Sequence, residues 1–114
     1  DLAPHQIILL ISLHKLYLKS KSNTLEINAL MDVFNIVWKE HQNSFKTKNC
    51  NLGMPLKVFF NKGYLEIDIK EKINDFRSKT ELRSKITEIR ISLVLLNLFK
   101  NTEFSNYVIA RINY

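Results

Sequence analysis

From Ile7 to Leu18 the chain is apolar at every position except Ser12, His14 and Lys15. A helix this apolar is a central one, touched by neighbours on several sides. Pro4 suits its first turn, where a missing N–H costs nothing. Lys19 to Thr24 is polar and reads as a loop. Leu25-Glu26-Ile27 alternates, which fits a short strand or an extended arm. Asn28 is a plausible N-cap. After it Leu30, Val33, Phe34, Val37 and His41 recur at the spacing of one helical face, so a core helix is expected to end near His41. Trp38 lies at the edge of that face and reads as core rather than as a platform for stacking bases.

Gln42 to Gly53 has no hydrophobic period. Then comes Leu52-Gly53-Met54-Pro55-Leu56-Lys57-Val58-Phe59-Phe60, the stretch around which the chain is organised. Pro55 disfavours the helical region for the residue before it, so Met54 is expected to be extended. The Met54-Pro55 segment itself reads as one turn of helix or extended chain. A β-hairpin is expected next, with strands at Val58–Phe60 and Tyr64–Ile67 around the turn Asn61-Lys62-Gly63. Further on, Ser78 or Thr80 caps a helix whose core stripe is Leu82, Ile86 and Ile89. At helical pitch Lys79, Arg83 and Arg90 lie within about 40° of one another beside that stripe. Ser92 is expected to cap a helix from Leu93 to Phe99. Asn101 or Thr102 opens a last helix to about Arg111, with Phe104, Val108 and Ile112 facing inward. The architecture expected is a mainly α, compact single domain of about five to six helices with one small β-hairpin.

Length and charge then narrow the function. At 114 residues the chain can build one core. Its longest apolar run is far too short to cross a bilayer. That run follows Asp1 and precedes no small-residue cleavage site, so no signal peptide is expected. The missing initiator Met fits a piece of a longer protein. A single cysteine, Cys50, permits neither an internal disulfide nor a thiolate zinc site, which fits a reducing, cytoplasmic setting. The net charge is +6. No acidic residue falls between Glu40 and Glu66, whereas Lys46, Lys48, Lys57 and Lys62 do. Phosphate-bearing partners follow naturally from that distribution. His5 stands at the start of the first helix, where the positive end of the dipole favours an anion; the plainer reading is a surface histidine without a task. The sequence carries no phosphate-binding glycine loop, dinucleotide fingerprint or zinc-ligand spacing. Neither cofactor nor metal is expected. Binding is therefore the expected class, and no catalytic residue is assigned.

The order of these features resembles the sulfur-binding domain of phosphorothioation-dependent, McrA-like restriction endonucleases. The resemblance rests on Ala3-Pro4-His5-Gln6 opening an Ile/Leu-rich helix and on a second helix with Phe34 and Trp38. Met54 to Phe60, the segment Asn61 to Ile67, and the helices beyond complete it. It covers nearly the whole chain. It implies a domain that grips double-stranded DNA with one backbone oxygen replaced by sulfur, and a fused nuclease outside these residues. It implies a non-polar sulfur pocket from Met54, Pro55 and Val58, with the stem of Lys79 or Arg83 against it. It places His5 and Gln6 on the neighbouring backbone. The basic rim would comprise Lys46, Lys48, Lys57, Lys62, Lys79, Arg83 and Arg90. Two departures stand out: Gln6 lacks the positive charge usual at its position, and Met54 replaces a common aromatic residue. Two other readings remain. One is a general DNA-binding domain without sulfur preference, using the hairpin as a wing. The other is a protein-interaction domain whose charge is incidental.

Overall fold

The computed structural model describes residues 2–45, 52–66 and 88–112. Helix α1 spans Pro4–Ser20, with proline in its first turn. Ala3 has no side-chain oxygen to cap it. Gln6 compensates at that end, its amide oxygen accepting the Ala3 N–H at 3.2 Å. Every residue from Ile7 to Leu13 is buried, as the apolar run requires of a central helix. Ser12, the one polar member, is tolerated because its hydroxyl donates to the Ile8 carbonyl at 2.7 Å. The helix stops at Lys21, whose φ of 54° is left-handed and whose N–H returns to the Tyr17 carbonyl.

Strand β1, Thr24–Glu26, runs straight into α2, Ile27–Phe45. Asn28 therefore lies inside the helix rather than at its cap, because Ile27 is already helical and buried. Leu30, Met31, Phe34 and Val37 form the buried stripe of α2. Val33 and Trp38 pack against the core from its edge. The helix continues one turn beyond His41.

The stretch after Leu52 corrects the expected hairpin. Helix α3 occupies Gly53–Asn61, so Val58, Phe59 and Phe60 are helical and Met54 is not extended. Pro55 sits in the first turn, where the N–H it lacks would have no intrahelical partner. Leu52, Leu56 and Phe59 are buried at the four-and-three spacing of a helical stripe. Burying that stripe outweighs both the preference of the residue before proline and the β tendency of Val-Phe-Phe. The turn at Asn61 to Gly63 is where expected, but it closes a helix. Gly63 takes φ 76°, and the Tyr64 N–H reaches back to the Phe59 carbonyl at 2.9 Å. Because Val58, Phe59 and Phe60 are helical, the hairpin that the general DNA-binding reading uses as a wing lacks its expected first strand.

Only Leu65–Glu66 of the expected second strand is described as β, here β2. Its partner is β3, Glu88–Ile91, which also pairs with β1. The sheet is antiparallel with the order β1-β3-β2. Ile89 and Arg90 are thus strand residues rather than members of the helix expected there. The alternation Glu88-Ile89-Arg90-Ile91 is exposed-buried-exposed-buried, and a period of two outweighs the chance helical spacing of Ile89 with Ile86. The rest of that expected helix, with Ser78 and Thr80, lies outside the described residues.

Helix α4, Leu93–Phe99, has the expected cap: the Ser92 hydroxyl accepts from the Leu95 N–H at 3.4 Å. Helix α5, Thr102–Ile112, opens on Asn101, whose side-chain oxygen accepts the Glu103 N–H at 2.9 Å. Phe104 packs against the core. The fold is mainly α, with five helices and one three-stranded antiparallel sheet among the described residues. Among them no helix is long and apolar enough to cross a membrane.

Candidate nucleic-acid interface

The first turn of α3 combines features that rarely coincide. Leu52 precedes it without a side-chain cap, and no acidic residue falls in that turn. The helix's own first turn therefore brings no carboxylate to the positive end of its dipole. Met54 is 59% exposed there, one of the large apolar side chains that the fold leaves uncovered. Lys57 and Val58 follow at three and four residues, so all three share one helical face. Lys57 is exposed, and Val58 is half-buried against the core. Pro55, expected to help line the sulfur pocket, is buried in this first turn.

An exposed thioether, a half-buried valine and an ammonium on one helical face make a small apolar spot beside a positive charge. It can bind an anion that carries a poorly hydrated atom. At the other end of α3, Lys62 is exposed and its ammonium lies 5.9 Å from the centre of the Tyr64 ring. That contact orients the lysine without removing its charge. Tyr64 is itself held edge-on by Phe59, with ring centres 5.4 Å apart.

Other expected members of the site fall elsewhere. His5 and Gln6 are half-buried in the first turn of α1. The amide oxygen of Gln6 is engaged with Ala3, which leaves its NH2 group for an outside acceptor. Arg90 projects from the exposed side of β3, and its Nε lies 3.4 Å from a Glu66 carboxylate oxygen. It does not share a helical face with Lys79 and Arg83. Lys46, Lys48, Lys79 and Arg83 lie outside the described residues. Among the described residues no group of three or more His, Cys, Asp and Glu side chains is arranged to hold a metal ion.

One surface went unnoticed in the sequence. An open groove of about 170 Å³ crosses the outside of the sheet, lined by Thr24, Glu66, Glu88, Ile89 and Arg90. The register aligns Thr24, Arg90 and Glu66 in one row and sets Glu26 opposite Glu88 in the next. These residues come from three separated segments. Only the alternation at 24–26 and at 88–91 could have signalled that they meet. The comparisons with known proteins add no family to this geometry: no family model matches the chain, and no curated protein matches it.

Proposed function

We propose that this chain is a DNA-binding specificity module that recognises phosphorothioate-modified double-stranded DNA and directs a fused nuclease to it. The setting would be cytoplasmic bacterial defence, as part of a modification-dependent (type IV) restriction enzyme. One observation carries the reading: exposed Met54, half-buried Val58 and exposed Lys57 share a face at the start of α3, whose own first turn holds no acidic residue. Buried Pro55 fixes the turn that presents them.

The physical argument concerns desolvation. A phosphate oxygen that enters an apolar spot gives up strong hydrogen bonds to water. Sulfur is larger, accepts hydrogen bonds poorly and loses less on the same transfer. Met54 and Val58 therefore favour the sulfur over the oxygen of the same linkage. Lys57, Lys62 and His5 supply attraction to phosphates that does not depend on the sulfur. The resemblance to sulfur-binding domains points the same way, and it places the nuclease outside these residues.

The test is a pair of titrations with a short duplex. One version carries a single phosphorothioate of the natural stereochemistry, and the other carries oxygen. The modified duplex should bind at least about tenfold better, equivalent to about 1.4 kcal/mol. Equal affinity in several sequence contexts would leave only general DNA binding. No binding to either duplex would leave the protein-interaction reading.

A further inference from the structure

We propose that Arg90 serves as the counter-cation of an acidic sheet face, and that this face is turned away from DNA. The inference deepens the DNA-binding reading and rests on it for the orientation, not for the role of Arg90. Among the described residues, the outer side of the sheet carries Glu26, Glu66 and Glu88 against one guanidinium, that of Arg90. Those described residues make the face formally negative on a chain whose net charge is +6. Glu26 and Glu88 are register partners, an arrangement in which like charges repel across the strands. Arg90 sits opposite Thr24 on one side and Glu66 on the other, and reaches the Glu66 carboxylate at 3.4 Å. It occupies the central strand, between the two edge strands that bring the glutamates.

A phosphate approaching Arg90 would meet the carboxylates of Glu66 and Glu88, which line the same groove. It would have to compete with Glu66 for the guanidinium while being repelled by the other acids. Met54 and Lys57 stand on a helix whose own first turn brings no acidic residue. Arg90 thus leaves the set of DNA contacts, although its charge and its place in the sequence commended it.

Charge reversal separates the two roles. Arg90→Glu and Lys57→Glu are each titrated with the phosphorothioate duplex at about 0.15 M salt, where screening acts over about 8 Å. Thermal melting is measured on both variants and on the swap Arg90→Glu/Glu66→Arg. Lys57→Glu should weaken binding at least about tenfold, while Arg90→Glu should change it by less than about twofold. Arg90→Glu should lower the melting temperature by a few degrees, and the swap should recover most of that loss. A loss of DNA affinity in Arg90→Glu comparable to that in Lys57→Glu overturns the proposal. So does a melting temperature that neither falls in Arg90→Glu nor recovers in the swap. If the unaltered chain binds no DNA, the proposed function fails by itself, and the melting of the swap still decides whether Arg90 serves the sheet.

Discussion

Two backbone positions and one ring show how single residues constrain this domain. Gly63 is left-handed, with φ 76°, and a methyl group there would meet nothing within 4 Å. The whole penalty of Gly63→Ala is therefore conformational, about 1–2 kcal/mol, and chemical denaturation should read it directly. Lys21 has φ 54° with a side chain in place. Lys21→Gly should stabilise the protein by roughly 0.5–1 kcal/mol, reduced by the greater freedom glycine has when unfolded. His14 is packed on Phe99, with ring centres 4.9 Å apart, and burial lowers its pKa below the ordinary 6.5. Above that value both states are neutral at this site, and its contribution to stability is whole. As the pH falls below it, the unfolded chain takes up a proton that the folded chain resists, so stability declines until the folded pKa is passed. Denaturation from about pH 8 down to about pH 5 should show a downward slope that is shallower in His14→Gln.

At the scale of elements, the sheet and the caps give the clearest expectations. The facing pair Glu26 and Glu88 is an internal repulsion. Glu26→Lys should therefore stabilise the fold by roughly 0.2–1 kcal/mol, an effect that shrinks in high salt. The Ser92 cap is buried, but its hydrogen bond is long at 3.4 Å. Ser92→Ala should cost about 0.5–1 kcal/mol, the lower part of the usual range for a lost cap. The outward backbone of β1 is also protected: the Ser22 hydroxyl accepts the Thr24 N–H and donates to the Thr24 carbonyl. That local ring of bonds occupies an edge which would otherwise offer itself to another strand.

For the molecule as a whole, the decisive measurement separates pocket from charge. If three to five phosphates are contacted, DNA affinity should fall with salt at a log–log slope of roughly −3 to −5. Met54 carries no charge and is mostly exposed, so Met54→Ala should leave melting unchanged. Its expected effect is a loss of about 1–2 kcal/mol for the sulfur-modified duplex alone. A parallel loss on both duplexes would make Met54 a support for the turn and nothing more. Val58→Ser is a poorer probe, because Val58 packs against the core and its loss should also lower stability. In the site, Met54, Lys57 and Val58 were legible as neighbours because one short segment holds them. Their shared helical face was not, because proline and the β tendency of Val58-Phe59-Phe60 argued for extended chain.

Local chemistry by itself determined α1, the stripe of α2, and the start of α4. A long apolar run, a repeat of three and four, and a serine before Leu93 each act within a few residues. Only the tertiary structure decided α3 and β3. Phe59 is helical because Leu52, Leu56 and Phe59 together find a core to enter. Ile89 is in a strand because Leu25 pairs with it and Leu65 with Ile91, from segments far away in the chain. The placement of Arg90 among carboxylates follows from that pairing. Strand partners are chosen by burial and hydrogen bonding across the fold, and a local pattern read along one segment does not contain them.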